Sequence, residues 1–221
     1  MNKSVSLGLI ASASGGRAAV ALAIDGEIKA SRLCGTGRRA SEELLVTVDE
    51  MLETEHIKPT EVTHIAASRG PGSFTGIRVG LSAMLGLCRA TSAQAKAYST
   101  LWLMAKTISE DATIVALIPA GRGDIFVGTF EKCGTELKES KEAYILFKNE
   151  IEQFKLEGAT LVVEEGWEPP AEFGEYKSVD SEECARQAAI IATNEKPEFP
   201  IEPLYLRRSW AEEVKLSRER K

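Results

Sequence analysis

The sequence predicts an α/β protein of two stacked lobes, and three observations carry that reading. The chain opens with three short apolar runs separated by turn residues, the pattern of strands folding back on one another. Helical and strand periods then alternate through the rest of the first half. A second block of strands and helices follows, enough for a second layered unit. At 221 residues and 43% hydrophobic content the chain can bury a core without staples, and its 27% charged residues exclude a disordered or fibrous protein.

Residues 5–11 read as the first strand and 18–24 as the second, joined through Ser14-Gly15-Gly16. Asp25-Gly26 is a tight-turn pair, so 27–33 returns as a third strand. A helix starts at Ser41, with Leu44, Leu45, Val48, Met51 and Leu52 in a 3.6-residue period and acidic residues facing elsewhere. Residues 62–67 form a short buried strand that runs into Arg69-Gly70-Pro71-Gly72, and a long helix spans about 74–90. In the second half, 99–109 reads as helix, 113–118 and 125–130 as strands, 148–156 as helix and 160–164 as strand. Asp180 with Glu183 caps a helix through residue 192, and Ser209-x-x-Glu212 opens a charged terminal helix. The expected lobes are residues 1–100, joined by a terminal helix at about 203–221, and residues 101–202. No internal repeat is visible in the sequence.

Lys+Arg 27 against Asp+Glu 33 leaves a net charge of −6, which argues against a chain that grips nucleic acid alone. The four cysteines (Cys34, Cys88, Cys133, Cys184) form no C-x-x-C pair, so free thiols in a reducing cytoplasm are expected. No apolar run reaches the ~18 residues of a membrane span. Residues 5–13 imitate a signal peptide ending Ala11-Ser12-Ala13, but Ser4, Ser6 and Gly8 dilute the run and only Lys3 precedes it. A buried first strand accounts for the same residues.

The most informative stretch is RGPGSFTGIRVG, residues 69–80. A strand ends there in a glycine turn and feeds a helix N-terminus, whose free N–H groups and dipole favour an anion or a carboxylate. Arg69, Gly70, Gly72, Ser73 and Thr75 are the candidate contacts, with Ser73 and Thr75 as caps. The glycine pattern equally suits a purely structural turn.

This stretch closely resembles the signature of the bacterial TsaB (YeaZ) proteins. Neighbouring segments agree in order: the AVAL strand before Asp25-Gly26, the helix around Leu44-Leu45, Ser99-Thr100-Leu101, and Glu202-Pro203-Leu204-Tyr205-Leu206-Arg207 near the end. The resemblance implies the two-lobed actin-like, sugar-kinase-like (ASKHA) fold. It also implies a scaffold that partners TsaD, with the ATPase TsaE, in transferring threonylcarbamoyl to the adenosine 3′ of anticodons reading codons that begin with A. In such a system ATP and the divalent metal belong to the partner complex, tRNA is met only within it, and this chain holds no cofactor.

The residues themselves fit a non-catalytic role. The two histidines, His56 and His64, cannot form the i, i+4 pair of a helical metal site. The place where an actin-like phosphotransferase carries a strand-one carboxylate falls, by resemblance, at Ser12, which cannot replace a magnesium ligand. Ala40 stands where many relatives have histidine, and Pro119-Ala120-Gly121 where many have Asp-Ala-Arg, although Gly123 and Asp124 remain. A serine nucleophile would need a nearby general base, and no G-x-S-x-G elbow exists.

Two helix faces read as a partner surface. On the long helix, Ile77, Leu81, Met84, Leu85 and Cys88 form one apolar face, while Gly76, Gly80, Ala83 and Leu87 form a small-residue stripe that would admit another helix. The helix from Ser41 adds Leu45, Val48, Met51 and Leu52. Burial of both faces within the chain's own layers is the competing reading. The resemblance makes this helix pair the TsaD-binding surface, or a homodimer surface when TsaD is absent. A bulky residue at Gly80 would then hold a partner off. Residues 207–221 carry a surplus of three positive charges, suited to tRNA, an acidic partner or plain solvation. Two further readings stand beside the scaffold: an actin-like small-molecule kinase or ATPase, and a stand-alone homodimeric adaptor.

Overall fold

The computed structural model describes residues 3–11, 17–36, 38–154, 158–194 and 200–207. It contains two five-stranded sheets of the same topology. The first has the order β3 (Glu27–Thr36), β2 (Arg17–Ile24), β1 (Val5–Ile10), β4 (His64–Ser68), β5 (Gln94–Tyr98). The second runs β8 (Glu136–Leu146), β7 (Asp124–Cys133), β6 (Ala112–Gly121), β9 (Thr160–Glu164), β10 (Lys177–Val179). In each, three antiparallel strands are extended by two parallel ones. The chain thus uses one plan twice, a repeat of backbone that its residues do not betray. This is the two-lobed actin-like architecture that the resemblance implies.

Side-chain size explains how the first sheet is covered. On β2 the residues alternate, with Ala18, Val20 and Leu22 on one face and Ala19, Ala21 and Ala23 on the other. The larger face packs under α1 (Arg38–Thr54) and α2 (Phe74–Thr91). The small face, with Gly8 and Ala66, receives α4 (Ser181–Asn194) through Ala185, Ala188, Ala189 and Ala192. Small residues on both sides let the backbones approach, and the buried Ser6 hydroxyl donates to the Ala189 carbonyl at 2.7 Å. The Tyr98 hydroxyl reaches the Ile191 carbonyl at 3.4 Å. Meanwhile α3 (Thr100–Lys106) packs on β6, β7 and β9. The chain exchanges helices between its halves, and one continuous core runs from Ala21 through Leu101 and Ala185 to Ala116.

The first-half elements lie close to their expected places. Asp25 and Gly26, at φ 51 and 82, form the hairpin turn. The helix expected at 99–109 is shorter, and β5 precedes it. Of the helix expected at 148–156, the described residues make no α-helix; Lys148–Gln153 is a 3-10 turn that covers the outer face of the second sheet with Ile151, and residues 155 and 156 lie outside the described residues. Strands β5, β8 and β10 were not expected. Strand β8 is an edge strand with Lys138, Glu139, Lys141 and Glu142, so little apolar alternation marks it. Asp180 caps α4 as expected, its carboxylate accepting from the Glu183 N–H at 2.6 Å. The terminal helix expected from Ser209 lies outside the described residues.

Candidate functional site

The outer face of the first sheet carries α1 and α2 side by side, and a groove of about 380 Å³ opens between them. Its walls are Leu45, Val46, Val48 and Leu52 of α1 and Leu87 of α2; its floor is Leu7 of β1 and Ile65 of β4. Asp49, Glu50 and Thr91 give it a polar rim.

Four of the eight expected interface residues line this groove: Leu45, Val48, Leu52 and Leu87. The other four do not. Met51 is fully buried under α1, Gly76 and Gly80 are buried, and Ala83 is half-buried against the same core. The small stripe therefore turns inward at Gly80, where an added Cβ would meet the Ala11 Cβ at 3.4 Å. The outward apolar residues are Leu45, Val46 and Leu85, each about half exposed. Val46 escaped the periodic reading because it lies off the stripe. The signal was present nonetheless: three apolar residues in a row, Leu44-Leu45-Val46, span more arc than one helix face can bury.

The glycine loop lies at the opposite end of α2, and its partner is the chain's own segment 200–207. The Arg69 Nε donates to the Glu202 carbonyl at 2.8 Å, and the Leu204 N–H to the Arg69 carbonyl at 2.7 Å. Gly70 sits at φ 101, and a Cβ there would fall 2.6 Å from Ile77 Cδ1 and 2.9 Å from the Leu204 oxygen. Only glycine fits. Ser73 caps α2 by accepting from the Gly76 N–H at 3.3 Å, while Gly72 is half-buried and Thr75 exposed. Tyr205 stacks on Phe74 with centroids 4.3 Å apart, and its hydroxyl accepts from Arg78 Nε at 2.9 Å. Burial pulls the Arg69 pKa down, and the Glu202 charge opposes that shift.

Elsewhere the polar groups are dispersed. His56 follows α1 at φ 55, and His64 begins β4 with its Nδ1 2.9 Å from the Thr63 hydroxyl. Burial, with nearby Lys96, holds the His64 pKa below its ordinary value. Among the described residues no three His, Cys, Asp or Glu side chains converge to hold a metal, and no helix is long and apolar enough to cross a membrane. The cysteines are free; burial pushes the Cys34, Cys88 and Cys184 thiols up. Ser12 and Ser14 lie outside the described residues, as do the side chains of Arg38, Arg39 and Ala40. Asp124 is described, and both its oxygens are engaged: one accepts from the Lys148 N–H at 2.9 Å, the other pairs with Arg207.

The family model of TsaD, the tRNA N6-adenosine threonylcarbamoyltransferase, matches residues 35–174. The tRNA threonylcarbamoyladenosine biosynthesis protein TsaB of Escherichia coli K12 is 30% identical over 162 residues, 70% of this chain and 69% of that one. TsaB of Haemophilus influenzae Rd is 26% identical over 191 residues, 77% of this chain and 80% of its own. The solved structure of YeaZ from Pseudomonas aeruginosa shares the fold, with a TM-score of 0.71 at 22% identity over 92% of this chain and 100% of that one. Sequence and fold agree, and the chain belongs to the TsaB (YeaZ) family.

Proposed function

We infer that this chain acts in forming threonylcarbamoyladenosine on tRNA, as a cytoplasmic, non-catalytic scaffold that docks on TsaD through the α1–α2 groove. The relatives' names supply the pathway; the observation that carries the docking role is the groove itself. Leu45 and Val46 stand about half exposed around a floor of buried sheet residues. Covering such side chains contributes at most roughly 1.5–3 kcal/mol each, enough together to matter against the cost of association. In this reading TsaE, ATP, the divalent metal and tRNA are met through the complex, and a second copy of the chain takes the groove when TsaD is absent.

Support for a non-catalytic role comes from Asp124, whose two carboxylate oxygens are already engaged by the Lys148 N–H and by Arg207, and from Ser12, which offers no carboxylate in place of a magnesium ligand. The test is reconstitution of TsaD, TsaE and this chain with the threonylcarbamoyl adenylate, ATP and tRNA. Omitting the chain, or placing charges in the groove, should abolish modified tRNA, whereas Ser12→Ala should leave it within a few-fold. A hundredfold loss from Ser12→Ala with TsaD binding intact would overturn the scaffold reading. Steady ATP hydrolysis by the chain alone would favour the kinase alternative.

A further inference from the structure

The segment 200–207 is neither helix nor strand, yet it touches both halves of the molecule. On the first half it holds the glycine loop: Glu202 and Leu204 bond Arg69, and Tyr205 lies flat on Phe74 with Arg78 5.7 Å from its ring centre. Toward the second, Leu206 packs on the shared core, and Arg207 pairs with Asp124 at the start of β7. That ion pair is mostly buried, with 17% and 14% of the two side chains exposed.

We propose that residues 200–207 form a releasable strap, which couples the β6–β7 hairpin of the second sheet to the N-terminus of α2. A segment with so few buried apolar contacts, and with Ile201 and Tyr205 still 39% and 37% exposed, opens far more readily than the core. Its anchors are sequential: the Arg207 pair, the Tyr205 stack, then the Leu204 and Glu202 bonds to Arg69. Losing the outermost anchor weakens the rest, because each holds the next in register. Opening uncovers Phe74 and leaves Arg69 and Arg78 without their strap partners. The second sheet thereby acts on α2, whose other end lines the groove at Leu87.

Hydrogen exchange on the full chain tests this. Asp124→Asn keeps an acceptor for the Lys148 N–H and removes the charge; Arg207→Gln removes the other half. Each should speed exchange at least about tenfold, together, in residues 200–207 and 69–78, while β1 and α4 keep their protection. The double variant should match either single one, since both break the same contact. Tyr205→Ala, at an exposed position, should loosen the same two segments without touching the ion pair. The proposal fails if the effects of Asp124→Asn and Arg207→Gln simply add. It also fails if 69–78 stays protected while 200–207 opens, or if β1 and α4 open with the strap.

Discussion

Gly8 lies so close to α4 that a Cβ on it would fall 2.1 Å from the carbonyl oxygen of Ala185 and 2.7 Å from the Ala189 nitrogen. Both neighbours are backbone, so nothing flexible can yield. Gly8→Ala must move the helix off the sheet and stretch the Ser6–Ala189 bond with it. We expect a loss of at least ~1–3 kcal/mol, the usual size of overpacking, read as a lower urea midpoint. A variant as stable as the parent would mean that α4 does not lie on β1 at this distance.

Gly80 gives a graded version of the same argument. An added Cβ would sit 3.4 Å from the Ala11 Cβ, an ordinary contact. Alanine also gains about 1 kcal/mol of helix propensity over glycine, so Gly80→Ala should be neutral or stabilising. Gly80→Leu has no such room and should cost the isolated chain ~1–3 kcal/mol. Thermal unfolding of the two variants without any partner checks both. A Leu variant with unchanged stability and lost TsaD binding would return Gly80 to an outer face.

That contrast shows what the sequence could and could not reveal. Hairpins, helix starts and the glycine loop are written locally, in Asp25-Gly26, Ser73 and Asp180, and these were legible. The Ala-rich pattern of β2 and α4 is also local, but its meaning is not. It becomes clear only when α4, more than 150 residues on from β2, lies against Ala19 and Ala21. Similarly, Arg69 reads as an anion contact on its own, yet in the fold it bonds Glu202, which is 133 positions away. Strands β5, β8 and β10 were missed because an edge strand built on alanines, an edge strand full of charge and a three-residue strand carry little β signal. The groove was half legible: helical period identifies its walls, but only the packed sheet decides which wall residues face out.

His64 adds a pH dependence. Burial, then Lys96, lowers its folded-state pKa below the ordinary 6.5. The unfolded chain therefore takes up this proton first as pH falls. The stability that neutral His64 allows is fully present above about pH 6.5, falls below it, and levels off once the folded form is protonated too. Urea unfolding at about pH 7.5 and pH 5 should show the parent losing more stability than His64→Gln over that interval. Equal losses in both would mean that His64 titrates alike in the folded and unfolded chains.

The groove yields the prediction that separates docking from folding. Val46 is 54% exposed and Leu45 49%, so neither side chain anchors the core. Charged replacements there, Val46→Asp and Leu45→Glu, should change the stability of the isolated chain by no more than about 0.5 kcal/mol, as surface substitutions usually do. At a covered interface the same changes place an unpaired carboxylate against apolar side chains, which is costly. Asp49 and Glu50 already make the rim acidic, so repulsion adds to the desolvation cost. We therefore expect TsaD binding to weaken at least about a hundredfold, by calorimetry or by co-elution, while the unfolding curve stays put. Val48→Asp is the control: its side chain lines the same groove but is only 2% exposed, so it should unfold the chain as well. If Val46→Asp and Leu45→Glu bind TsaD as tightly as the parent, the partner sits elsewhere and the groove has another occupant.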